Sequence, residues 1–121
     1  MFGDTLKAAV DRVDGALACI LMGFDGLEVA SHTATEKSEL PVDPQTLATE
    51  LSAHLNGLRK TAADVTDGAL QEAHVHTGGL QAVARVIDDD YFLLLLLDAN
   101  GLAGKGRYVL RMLAPKIKEE L

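Results

Sequence analysis

Residues Tyr91 to Leu97 form an unbroken apolar run that ends in five consecutive leucines. The side chains of a strand point alternately to its two faces, so a strand with no polar position must be covered on both sides. The run is bounded by Asp88-Asp89-Asp90 before it and by Asp98-Ala99-Asn100-Gly101 after it. Both are turn-forming sequences, which favours a short strand over a longer helix. A second apolar run, Ala16 to Met22, lies between Gly15 and Gly23. Two such strands are central in a sheet that needs cover on both faces, and with the helices of the chain they predict an α/β (α+β) fold.

The covering helices are legible from spacing. Phe2, Leu6, Val10 and Val13 recur at steps of four, four and three, one apolar face of a helix that Gly15 ends. Asp43 followed by Pro44 is a helix start, with Asp able to cap and Pro suited to the first position. Leu47, Leu51, Leu55 and Leu58 then draw a leucine stripe along a helix running to about Asp64. Leu110, Leu113, Ile117 and Leu121 give the last helix its apolar side, with Pro115 expected to kink it.

Further strands fill the gaps. Leu27 to Ala30 pairs with Ala16–Met22 around Phe24-Asp25-Gly26, a hairpin signal. His32 to Pro41 is polar and reads as a loop. Ala69 to Thr77 and Leu80 to Ile87, joined at Gly78-Gly79, precede the leucine strand in an antiparallel meander. The predicted order is helix, two strands, helix, three strands, helix, one domain over residues 1–121.

Net charge is −7, unevenly spread. Residues 1–104 hold 6 basic and 16 acidic groups, a balance of −10, and residues 105–121 hold 5 and 2, a balance of +3. An acidic surface repels phosphate backbones, which argues against nucleic-acid binding and leaves the basic end to meet an acidic partner. No apolar segment approaches the ~20 residues of a membrane-spanning helix, and the start of the chain does not read as a signal peptide. Cys19, the one cysteine, has no internal partner and fits a reducing compartment. A soluble, cytoplasmic protein is expected.

With these residues, the order resembles the Roadblock dynein-light-chain family over nearly the whole chain. Asp14-Gly15-Ala16 leading into Leu21-Met22-Gly23-Phe24-Asp25-Gly26-Leu27 is similar to the family's first hairpin. Gly104-Lys105-Gly106-Arg107-Tyr108 is similar to its Gly-x-small-Arg helix start. The chain departs from the pattern at Leu102, where the family often has Asn; Asn100 lies two residues earlier. The resemblance implies a five-stranded antiparallel sheet with the first and last helices on one face and the middle helix on the other. It also implies homodimers joined through the third strand and middle helix. Members are dynein scaffolds, lysosomal signalling subunits, or regulators of Ras-like small GTPases in bacterial cell polarity and motility. A free-standing single domain looks most like the bacterial kind.

The residues point the same way independently. The interior of the third strand, Ala69 to Val75, holds no Pro or Lys and one charge, Glu72. Exposed edges are normally blunted by such residues, so this edge is expected to pair with a second copy, against the plainer reading of a monomer whose own loop covers it. The expected dimer interface is Leu70, Glu72, His74 and His76 from the strand, with Leu51, Leu55 and Leu58 from the helix. His54, Arg59 and Lys60 are the expected contacts to a GTPase partner.

Other motifs weigh against chemistry. The segment Ala99 to Gly106 follows a strand and opens a helix, but has Ala99 and Gly106 where a phosphate-binding loop needs Gly and Ser or Thr. Its glycines read as turn and close-packing residues. Glu72, His74 and His76 share one strand face, a set able to ligate a metal or sense pH, against the plainer reading of a polar interface strand. Cys19 sits among apolar neighbours and reads as inert. Ser31 and His32 are adjacent on a strand and face opposite ways, so they form no nucleophile pair. Asp88–Asp90 lacks the spacing of a calcium loop and reads as a solvated turn. Arg59 with Lys60, and Arg107 with Arg111, are pairs able to contact acidic groups or a GTPase's phosphates, against the plainer reading of surface cations with Arg107 anchoring a local turn. No catalytic, cofactor or metal site is expected. The expected role is a non-enzymatic homodimeric regulator of a Ras-like GTPase, or alternatively a nucleotide-independent scaffold subunit.

Overall fold

The computed structural model describes residues 1–34 and 40–121. Its elements are α1 (Phe2–Arg12), β1 (Ala16–Gly23), β2 (Glu28–Thr33), α2 (Pro44–Val65), β3 (Glu72–His76), β4 (Leu80–Val86), β5 (Tyr91–Asp98) and α3 (Ala103–Glu120). The leucine strand β5 is central in a five-stranded antiparallel sheet of order β2-β1-β5-β4-β3. Phe92 to Leu97 are all buried, as an uninterrupted apolar strand requires.

The alternation of β5 sorts the core into two layers. Leu93, Leu95 and Leu97 meet Leu6, Val10 and Val13 of the first helical segment and Val109, Leu110, Leu113 and Ile117 of α3. Phe92, Leu94 and Leu96 meet Ala48 and Leu55 of α2, with Ile20 and Met22 of β1. Helices α1 and α3 thus share one face and α2 covers the other.

Several boundaries differ from the sequence reading. β2 runs past Ala30 to Thr33, into the segment whose polarity predicts a loop, because the backbone of Ser31 and His32 pairs with Ile20 and Cys19. Part of that polar segment, residues 35–39, lies outside the described residues. β3 begins at Glu72 rather than Ala69. The chain stays helical through Pro115 to Glu120, and Leu121 lies beyond the helix end, exposed.

The leucine stripe of α2 is the larger correction. The row facing the sheet is Pro44, Ala48, Ser52 and Leu55. Small side chains at 48 and 52 bring this helix close to the sheet and hairpin, where Ser52 Oγ lies 3.7 Å from the Cβ position of Gly26. The leucines at 47, 51 and 58 stand on the flank.

Glycines fix the start of α3. Gly15 has φ +85°, and a Cβ there would lie 2.6 Å from Gly101 Cα. A Cβ on Gly106 would lie 2.8 Å from Leu95 Cδ2. Close packing accounts for both Gly101 and Gly106, as expected of a structural glycine segment.

Candidate docking surfaces around α2 and β3

Residues 47, 51, 54, 58 and 65 of α2 follow steps of four, three, four and seven, so they lie along one flank of the helix. Leu47 and Leu51 are half-buried, while Leu58 is 48% and Val65 76% exposed. Val75 of β3, 46% exposed, faces the same side. Leu47, Leu51, Val75, Leu80 and Ala82 line an apolar recess of about 60 Å³ between helix and strands. His54 is exposed on this flank. Leu55, expected at an interface, is 3% exposed and belongs to the core.

β3 is the sheet edge. Its bonding parity follows from Val86 N–H donating to the Gln71 carbonyl and Thr77 N–H donating to that of Leu80. Odd-numbered residues therefore face β4, and the backbone groups of Glu72, His74 and His76 point outward. Among the described residues no strand pairs with that outer edge.

The sheet separates the residues expected at the interface. Leu70, Ala73 and Val86 pack with the α2-side core, as Leu51 does. Glu72, His74 and His76 alternate with Ala73 and so project from the α1/α3 face. There His74 and His76 stack at 6.1 Å between ring centroids, and His74 Nε2 lies 2.9 Å from Gln81 Oε1. The Glu72 carboxylate bonds Arg107 Nε and lies 3.6 Å from Arg85 Nη1. With Glu72 turned to two guanidinium groups, it is not turned to the histidines. Among the described residues no three His, Cys, Asp or Glu side chains converge as a metal would need.

Arg59 and Lys60 differ sharply. The Arg59 guanidinium lies over the Phe24 ring, 3.9 Å from its centroid. Its Nη2 donates to the Asp89 carbonyl at 2.9 Å. Asn56 Nδ2 donates to the Phe24 carbonyl at 3.0 Å, and Phe24 packs on Phe92 at 4.9 Å. Arg59 thus ties α2 to the β1–β2 and β4–β5 turns, a role hidden from the sequence because its partners lie about thirty residues away on either side. Lys60 remains exposed beside it, on a groove of about 300 Å³ with Ala63, Leu70 and Val86.

Two polar residues escape the sequence reading. Gln81 is 3% exposed, and its Nε2 lies 3.0 to 3.4 Å from the carbonyls of Gly101, Asp98 and Ala99. Asn56 is the other, as described above. A polar residue inside an apolar strand is the signal available for Gln81. Cys19 is fully buried, and burial pushes its thiol up to about 12, which keeps it protonated and unreactive. Among the described residues no helix is long and apolar enough to cross a membrane.

No family model matches the chain, and no curated protein does. Solved structures do match. The crystal structure of MglC from Myxococcus xanthus is 40% identical, covering 99% of this chain and 98% of that one, with a TM-score of 0.70. The gliding protein MglB from Thermus thermophilus is 19% identical over 98% of this chain and 88% of its own, at a TM-score of 0.83. A Roadblock/LC7 domain from Streptomyces avermitilis is 18% identical over 95% and 92%, at 0.80. The latter two share the fold, and the first shares sequence along almost its whole length. Two helices on one sheet face, one on the other, and a 40% identical relative among Roadblock proteins lead to one conclusion: this chain belongs to the Roadblock/LC7 family.

Proposed function

We propose that this protein is a homodimeric, non-enzymatic adaptor of the cytoplasm that binds a Ras-like small GTPase and modulates its nucleotide cycle. The observation that carries the reading is the adjacency of two unsatisfied features, the outer edge of β3 and the apolar flank of α2 with Val75. A second copy related by a two-fold axis satisfies both at once, extending the sheet and covering the leucines. Self-association in the family is supported by an MglB structure described as having a tetrameric arrangement. The gliding role named for MglB supports a place in cell motility.

The dimer then offers a joined α2 surface to the partner. Lys60 is available for contact, His54 lies on the flank that the second copy covers, and Arg59 acts as the strut that holds the neighbouring turns. A surface that prefers one arrangement of the GTPase's switch segments shifts their populations by its difference in affinity, and changes hydrolysis through the GTPase's own residues. The test is GTP hydrolysis by a candidate Ras-like GTPase with and without the protein, together with binding in each nucleotide state. A changed rate with nucleotide-dependent binding supports the reading. Binding indifferent to nucleotide state would leave a passive scaffold instead, and no binding in either state would reject the GTPase role.

A further inference from the structure

The face opposite α2 carries a second surface, on the α3 side of the strand β3 whose outer edge forms the proposed dimer seam. Glu72, Gly104, Arg107, Tyr108 and Arg111 line a groove of about 210 Å³ between β3 and α3. Gly104 adds no side chain, and a Cβ there would meet nothing within 4 Å, so the groove stays open. Tyr108 is 46% exposed, with Lys105 Nζ 5.8 Å and Arg111 Cζ 5.9 Å from its ring centroid. Met112, also exposed, continues the apolar strip one turn on.

The charge at this place opposes that of the molecule. Arg85 and Arg107 share the one acid of the groove, Glu72, while Arg111 lines it and Lys105 stands beside Tyr108 at its rim. The Arg85 Nε is buried without a hydrogen-bond partner, so one carboxylate does not saturate even that pair. Among the described residues Lys105 and Arg111 form no ion pair. Outside Glu72 and Arg85, residues 1–104 hold 15 acids against 5 bases. An anionic segment is therefore repelled over most of the surface and drawn to this groove.

We propose that the β3/α3 groove docks an acidic peptide segment of a partner protein, its carboxylates on Lys105 and Arg111 and an apolar side chain on Tyr108. Glu72 on Arg107 shows the kind of contact the groove makes, a carboxylate against a guanidinium. A polyphosphate backbone suits it less, because the cations cluster at one groove and acidic surface surrounds them. The site lies on a single chain and does not depend on the dimer or on the GTPase.

The probe is a short fluorescein-labelled peptide of repeated Glu-Glu-Leu, followed by fluorescence anisotropy. Saturable binding is expected, weakening steeply as salt rises from about 0.02 M to about 0.5 M. Lys105→Glu with Arg111→Glu should weaken it by about tenfold or more, with thermal unfolding unchanged because neither side chain is ion-paired. Lys7→Glu with Arg12→Glu, the same charge change on α1, should alter affinity less than about twofold. The proposal is overturned by absence of binding, by equal binding of a Lys-Lys-Leu peptide, by a short DNA duplex binding as tightly, or by charge-reversed protein that binds like the wild type.

Discussion

Gln81 accepts a hydrogen bond from His74: the two side chains meet at 2.9 Å between Oε1 and Nε2. The direction follows from the other end of the amide, whose nitrogen faces three carbonyls at the start of α3 and must donate to them. The neutral His74 ring therefore carries its proton on Nε2, and the edge strand is linked through one buried side chain to the β5–α3 turn. Nitrogen NMR of the neutral ring should show Nε2 protonated, and an Nδ1-protonated ring would contradict the assignment. Gln81→Leu removes these bonds, although the Asp98 and Gly101 carbonyls keep the backbone N–H groups of Gly101 and Ala103, and should cost about 1 kcal/mol in urea unfolding. His74→Ala, at an exposed position, should cost less than about half of that.

Glycine substitutions should rank by what the new Cβ meets. Gly15→Ala combines a positive φ with a backbone atom 2.6 Å away and should cost about 3 kcal/mol or more. Gly106→Ala meets only the far end of Leu95, which can rotate, and should cost about 1 kcal/mol. Gly104→Ala, in open space within a helix, should stabilise slightly. Chemical denaturation of the three variants checks the order.

Leu102 caps α3 with no side-chain hydrogen bond, although a cap of this kind wants Asp, Asn, Ser or Thr. Leu102→Asp should raise stability by about 1 kcal/mol, and the unfolding midpoint by roughly 4 °C. A fall on calorimetry would show that the exposed leucine packs on something else.

Burial of Cys19 sets an alkaline limit on stability. The folded thiol is pushed up from 9.0 to about 12 while the unfolded one titrates normally, so between those values only the unfolded state loses its proton. This contribution is constant below about pH 9, and above it stability falls with rising pH by about 1.4 kcal/mol per unit. Cys19→Ala should lack this component when unfolding is compared at pH 8 and pH 10. The native thiol should also resist aromatic disulfide reagents until denaturant is added.

The central strands are the most legible part of the chain because an unbroken apolar run admits few arrangements. β5 and β1 lie where Tyr91–Leu97 and Ala16–Met22 predict. The capped start of α2 is equally readable, with Asp43 Oδ2 accepting from the Thr46 N–H at 3.2 Å. The face of α2 is not readable, because hydrophobicity ranks leucine above alanine and serine while close helix–sheet approach selects for small size. Leu55 therefore looks equivalent to Leu51 and Leu58 in the sequence, although it lies in the core and they stand on the flank. Whether Glu72, His74 and His76 share a side with the leucines depends on strand register, which spacing alone does not give. The tie from Arg59 to Phe24 and Asp89 joins three distant segments and leaves no local trace.

Sedimentation equilibrium tests directly whether a second copy fills the β3 edge and the α2 flank. From about 1 to 100 μM the wild type should sediment at twice the 12.9 kDa chain mass. Leu51→Asp with Val75→Lys should sediment at the single-chain mass with its helix content kept. A wild type that stays at 12.9 kDa throughout, or a double variant that keeps the wild-type mass, would contradict the account.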